Sequence, residues 1–267
     1  MRMYLSVAKL RFVTNLQYRT AAFAGIVTQL FFGFIFIMVY VAFYSRSSAV
    51  PPMSLQEVVT YIWLQQMFLG LIALYFRDPD IFELITGGNI AYELCRPCGL
   101  YGFWFAKVLA TRVSGVVLRC FPVLLIVLLL PEPYGMSLPP GIGAFLLFLL
   151  SLLLGLLMVC AISLLIYISI FWTMSPAGSI LMVAAAGEFL AGMILPIPLM
   201  PGWMQQLANL LPFRWTVDFP FRVYTGNIPI DEALGGLLIQ LFWLALLIGL
   251  GLLLISRALR RVVVQGG

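Results

Sequence analysis

Residues Ile142–Trp172 read IGAFLLFLLSLLLGLLMVCAISLLIYISIFW, an apolar run without a charged side chain. About 20 such residues cross the hydrocarbon of a bilayer as a helix, because only bonds within the segment can satisfy its backbone there. This run exceeds what a perpendicular helix needs, so it tilts or extends past the bilayer. Five further stretches of similar character surround it, at roughly 20–44, 58–76, 108–130, 176–196 and 233–256. The expectation is an all-α, polytopic membrane protein with six transmembrane helices.

Composition agrees with that expectation. Of 267 residues, 63% are hydrophobic and 9% charged, against roughly half and about a quarter in soluble domains. A mean hydropathy of +1.08 means more apolar surface than one aqueous core can bury. The first stretch is too long for a signal-peptide core and follows a polar segment, so it reads as retained. Inverted repeats are not visible and no long linker interrupts the chain, so residues 1–267 read as a single domain.

The 15 basic and 10 acidic residues are too sparse for a nucleic-acid-binding face. Their distribution reports topology instead. Arg2, Lys9, Arg11, Arg19, Arg77, Arg96, Lys107, Arg257, Arg260 and Arg261 fall on one side, and Arg46, Arg214 and Arg222 on the other. The basic side is cytoplasmic by the positive-inside rule, which puts both termini there. The chain has 4 cysteines and no histidine, which excludes histidine-dependent catalysis. Cys95 and Cys98 form a C-x-x-C, but Cys120 and Cys160 lie in apolar stretches, so packing is the reading and no metal site is assigned.

Three polar regions could carry function. In FRDPDIFELITGGNIAYELCRP, Phe76–Pro97, Asp78 is a good N-cap, Pro79 suits the first helical position, and Asp80 and Glu83 favour the positive end of the dipole. Gly87 and Gly88 stop the helix after about two turns. Its Ile81, Leu84 and Ile85 share a stripe beside Phe82, suited to a groove on a cytoplasmic partner or to lipid headgroups. In LPIPLMPGWMQQLANLLPFRWTVDFPFRVYTGNIP, Leu195–Pro229, Pro201 starts a helix with Trp203, Leu207 and Leu210 on one face. Trp203 and Trp215 read as interfacial anchors, Arg214 and Asp218 as an exposed i, i+4 pair, and the prolines allow a re-entrant path.

The third region is intramembrane. Arg112 and Arg119 in the third stretch and Glu188 in the fifth need partners at such depth. Similar depths favour an Arg119–Glu188 contact, the alternative being a wet pathway lined by both. Ala184, Ala185, Ala186, Gly187, Ala191 and Gly192 permit close helix contact around Glu188. Residues 1–19 carry a weak stripe, Leu5, Phe12 and Leu16, with Val7 and Leu10 off it; an interfacial helix fits. No P-loop is present, and the chain has only two lysines, Lys9 and Lys107, so it cannot bind ATP that way itself.

The blocks FRDPDIFELITGGNIAYELCRPCGLYGFWFAKVLATR and LMPGWMQQLANLLPFRWTVDFPFRVYTGNIP, with six spans in matching order, resemble the permease subunits of type-2 ABC exporters, in the drug and natural-product efflux branch. Cys95, Cys98 and Glu188 depart from the commoner pattern. The resemblance implies a plasma (inner) membrane permease, without catalytic residues of its own, that pairs with a second permease on two cytoplasmic ABC ATPase subunits. Those subunits would bind the ATP and magnesium. It further implies ATPase coupling through Asp78, Asp80, Ile81, Phe82, Glu83, Leu84 and Ile85 within a 77–100 loop, an interfacial helix over 1–19, and an external re-entrant segment over 197–232. Trp203, Arg214, Trp215 and Asp218 then belong to an external gate. Export of a hydrophobic or amphipathic compound is the expected function. An ATP-independent carrier or channel and a non-transporting scaffold are the alternatives.

Overall fold

The computed structural model describes residues 2–16, 19–46, 50–76, 78–95, 97–173 and 176–260. Arg77, Arg96 and Arg261 of the charge count lie outside the described residues, as do the side chains of Arg2, Arg19, Leu5 and Leu16. No strand occurs among the described residues.

Among the described residues four helices are long and apolar enough to cross a membrane: α2 (Arg19–Arg46), α6 (Leu100–Leu128), α7 (Ile142–Thr173) and α11 (Ile230–Leu259). They match four of the six expected spans. The other two positions hold shorter helices, α3 (Leu55–Ile72) and α8 (Pro176–Leu190), so the expected ends at 76 and 196 lie past the helical backbone. α3 begins at Leu55, ahead of the expected start at 58. Its start is fixed by a capping box in which Ser54 accepts from the Glu57 N–H and Glu57 accepts from Ser54, and its amides Gln65 and Gln66 are buried among neighbouring helices.

α7 is the axis of the bundle. It packs along α11, while α10 (Asp218–Thr225) and α4 (Pro79–Thr86) sit at its two ends. α3 is enclosed by α2, α6, α7 and α10, which is why a helix with so many polar side chains is stable there. Close approach is built in by glycine: a Cβ at Gly33 of α2 would fall 2.4 Å from the Trp63 ring, and one at Gly155 of α7 would fall 2.7 Å from the Thr216 carbonyl.

α1 (Arg2–Leu16) lies along α6 at the end of the bundle that carries α4 and α5 (Ile90–Leu94). At the opposite end a short 3-10 turn (Ile197–Leu199), α9 (Gly202–Leu210), a second 3-10 turn (Phe213–Thr216) and α10 fill residues 197–225. α8 ends in a Schellman arrangement, the Met193 N–H donating to the Glu188 carbonyl around Gly192 at φ 85°.

Candidate functional site

The α4 end is an ionic clamp. Asp78 caps α4 by accepting from the Asp80 N–H at 3.1 Å, and its own N–H donates to the Tyr167 hydroxyl of α7 at 3.1 Å. Arg11 of α1 donates to Asp80, and Lys107 of α6 lies 3.6 Å from Asp78 and 3.3 Å from Asp80. Partial burial works against the Asp80 carboxylate, but Arg11 and Lys107 outweigh it and hold its pKa below the usual value. Four helices, α1, α4, α6 and α7, are thereby tied at one point.

The apolar stripe of α4 does not face outward. Ile81, Phe82 and Ile85 are buried, and Phe82 meets the Tyr167 ring edge-on at 5.1 Å. Hydrophobic burial drives this seating, since a helix of this length gains its stability from packing. Asp80 and Glu83 stay exposed and Leu84 is half-buried. These border a cavity of about 480 Å³ between α1, α4, α5 and α6.

The intramembrane charges wrap the broken end of α3. Arg112, buried, donates to the Leu71 carbonyl at 3.1 Å, the Ala73 carbonyl at 2.8 Å and the Ser163 hydroxyl at 2.9 Å. Glu188 accepts from the Leu74 and Tyr75 N–H groups at 2.9 and 3.1 Å. Helix ends leave orphan carbonyls, and in lipid these must find protein partners. The Arg112 guanidinium supplies donors to two of those carbonyls, and the Glu188 carboxylate accepts from the N–H groups that follow them. Among the described residues Arg119 and Glu188 form no ion pair; the Arg119 guanidinium packs against Gly25 of α2, where a Cβ would sit 2.7 Å away. A pairing inferred from depth alone fails because backbone groups at residues 71–75 are the nearer ligands.

At the opposite end Asp218 is completely buried between Arg214 (3.6 Å) and Arg222 (3.4 Å) and accepts from the Ile197 N–H at 3.2 Å. Full burial pushes its carboxyl above the ordinary value, opposed by Arg222 and Arg214. Arg222 also donates to Asn227, and Arg214 donates to Asn209. Beside Asp218, the Tyr61 hydroxyl and the Gln65 amide of α3 donate to the Gly192 carbonyl at 3.0 and 2.8 Å. Gln240 of α11 bridges the Ser151 carbonyl of α7 and the Trp215 carbonyl at 3.0 and 2.7 Å. The expected exposed Arg214–Asp218 pair is thus part of a three-residue cluster in which two half-buried arginines flank a fully buried Asp218. Trp215 is likewise buried, packed against Phe219 at 5.1 Å rather than anchored at an interface. Trp203 is exposed on α9 together with Leu207 and Leu210.

A family model for ABC-2 family transporter proteins matches residues 26–266. The chain belongs to that family. Comparison with curated proteins and with solved structures yields no match. The protein is therefore an ABC-2 permease, a multi-pass membrane component of an ABC transporter that partners an ABC ATPase.

Within this permease the charged residues singled out from sequence come together in three separate places, while Arg119 packs against Gly25 and Trp203 stays exposed on α9. Asp78 and Asp80 meet in the clamp, Arg112 and Glu188 meet across the α3 break, and Arg214 and Asp218 meet in the α10 cluster. Arg11, Lys107, Tyr167, Ser163, Arg222 and Gln240 complete these places and were not singled out. Arg222 was legible, since it stands four residues after Asp218 as Arg214 stands four before. Lys107 carried a signal as well, being one of two lysines in the chain. Tyr167 and Ser163 sit in an apolar run whose periodicity says nothing about partners.

Proposed function

We propose that this permease is the membrane-spanning part of an ATP-driven exporter in the drug and natural-product efflux branch of its family, moving a hydrophobic or amphipathic compound outward. In this reading six helices cross the plasma membrane, α3 and α8 being completed by irregular backbone held inside protein. Both termini are cytoplasmic, residues 1–267 form one domain, and a second permease, identical or related, completes the path. ATP and magnesium bind the separate ATPase subunits, and this chain supplies no catalytic group. α4 is the coupling helix, α1 the interfacial helix, and residues 197–232 the segment that closes the outer end.

The seating of α4 on α7 carries this reading. The ATPase would push on the exposed Asp80 and Glu83 edge, and α4 hands that displacement to Tyr167 through a hydrogen bond and a ring contact. α7 continues to Ser151 and Gly155, which touch Gln240 and Thr216 beside the Asp218 cluster. One packed helix thus connects the ATPase-facing edge with the outer segment, as a two-state transmission requires.

The test is purification with the cognate P-loop ATPase, followed by reconstitution. The expected result is a stable complex whose ATP hydrolysis is vanadate-sensitive and stimulated by the exported compound. Transport that proceeds without ATP, or a permease that holds no ATPase, would contradict the proposal.

A further inference from the structure

Glycine contacts lock α2, α3 and α6 together. A Cβ at Gly33 of α2 would fall 2.4 Å from the Trp63 ring of α3, one at Gly70 of α3 would fall 2.9 Å from Val116 of α6, and one at Gly25 of α2 would fall 2.7 Å from the Arg119 guanidinium of α6. Gln29 stands midway between Gly25 and Gly33, Gln66 stands between Trp63 and Gly70, and Arg119 lies about one turn beyond Val116. Residues three or four apart share a helix face, so these contacts set three polar side chains into the junction of three helices.

Their hydrogen-bonding capacity is unused. Gln29 is 4% exposed and Gln66 7%. Among the described residues the Gln29 Oε1 has no hydrogen-bond partner, and neither Gln66 nor the Arg119 guanidinium has a hydrogen bond or an ion pair. Glu188 does not serve them, being taken by the Leu74 and Tyr75 N–H groups. Buried polar groups in folded proteins are paired, and a cation on a membrane-crossing helix is costly alone, so the three together point to a ligand. The guanidinium is oriented for one. The Cβ position at Gly25 lies 2.7 Å from its Cζ, 2.8 Å from Nε and 2.9 Å from Nη1, nearest the central carbon and therefore over the plane. α2 thus backs the flat face and leaves the N–H edge free. About one turn earlier on α6, the Cβ position of Gly115 has no atom within 4 Å, which gives a ligand room.

We propose that Arg119, Gln29 and Gln66 form a binding site for the carboxylate of a small organic acid. One guanidinium balances one negative charge, and its planar edge matches the two oxygens of a carboxylate. Either amide can turn an N–H toward those oxygens, since rotation exchanges the two ends of the group. Burial of both glutamines requires a charged group that ends its molecule. A carboxylate has one substituent and enters end-on, whereas a phosphodiester carries substituents on two sides. The proposal rests on the exporter reading for its consequence, that the compound moved is an organic acid; binding itself needs no transport.

The test is calorimetric titration of the full-length permease, bound to its ATPase in a neutral detergent without nucleotide, at a mildly alkaline pH where carboxylic acids are ionised. The probes are decanoate, its uncharged isostere decanamide, and dioctanoyl phosphatidylglycerol as a phosphodiester of the same charge. Decanoate should bind at least about ten-fold more tightly than either of the others, equivalent to ~1.4 kcal/mol. Arg119→Gln should remove that preference, and Arg119→Lys, which keeps the charge and loses the fork, should retain part of it. Gln29→Leu replaces an unpaired buried amide by an apolar group of similar size, so the ligand-free melting temperature should hold or rise while decanoate affinity falls about five-fold. Decanamide or phosphatidylglycerol binding as tightly as decanoate would overturn the site. So would decanoate affinity unchanged in both Arg119→Gln and Gln29→Leu, or a ligand-free Gln29→Leu permease that melts lower, which would mark the amide as structural. ATP hydrolysis is read separately on the same preparation, so failure of carboxylate binding leaves the ATPase reading untouched, and the reverse also holds.

Discussion

Arg112 does the most demanding work of any single side chain in the bundle, because the carbonyls of Leu71 and Ala73 lose their donors without it. Each buried orphan costs about 1–3 kcal/mol. Arg112→Met should therefore lower stability by about 3 kcal/mol or more, seen as a depressed melting temperature and poor yield in detergent. Arg119→Met should cost far less. Because Arg119 and Glu188 share no contact, Arg119→Met and Glu188→Met should add, whereas Arg112→Met and Glu188→Met act on one break and should not. Melting of the three single and two double variants checks this, and recovery in the Arg119/Glu188 double variant would contradict it. Gly192 is the other exacting position: at φ 85° an alanine Cβ would lie 2.7 Å from the Tyr61 hydroxyl. Gly192→Ala should lose about 1–3 kcal/mol by the same melting assay.

At the level of elements, α4 is held by one hydrogen bond, one apolar face and one ionic clamp. Tyr167→Phe keeps the ring and deletes the hydroxyl, leaving the Asp78 N–H without its partner; hydrogen exchange across α4 should quicken by about ten-fold, as ~1.4 kcal/mol implies. The clamp has a pH signature. The native Asp80 pKa is depressed by Arg11 and Lys107, so the unfolded chain binds more protons than the native one as pH falls. Its contribution is complete above the ordinary aspartate value of about 3.9 and is lost as pH drops through the lower native value. Exchange of α4, corrected for intrinsic rates, should accelerate in that window, and Asp80→Asn should abolish the dependence. Replacing Phe82 and Ile85 by Ser should unseat α4 from α7 and disconnect ATP hydrolysis from substrate; normal substrate stimulation would refute the role of α4. The start, cap and stop of α4 were legible because Asp78, Pro79 and Gly87 act locally. Which way its apolar stripe points was not, because Ile81 and Phe82 fit a partner's groove and α7 equally well by pattern. The same limit applies to the spans. α7 declares itself by length, but α3 stops at Ile72 only because Arg112 and Glu188, distant in sequence, can satisfy its loosened backbone.

Across the whole molecule, α7 joins two polar clusters that local sequence features describe only in part. Asp218, Trp215 and Gln240 sit at one end and Asp78, Arg11 and Lys107 at the other, with a continuous buried helix between them. Such an arrangement transmits motion if both ends are bistable, and it is merely a scaffold if they are not. The claim is tested most directly by double electron–electron resonance between spin labels at Glu83→Cys on α4 and Gln206→Cys on α9, both exposed positions, with the four native cysteines replaced by serine or alanine. The measurement is made on the permease bound to its ATPase in lipid. The predicted result is a distance distribution that shifts between the nucleotide-free and the vanadate-trapped state, and that ceases to shift once Phe82 and Ile85 are serine. Superimposable distributions in the two states, from a complex that hydrolyses ATP normally, would contradict the account.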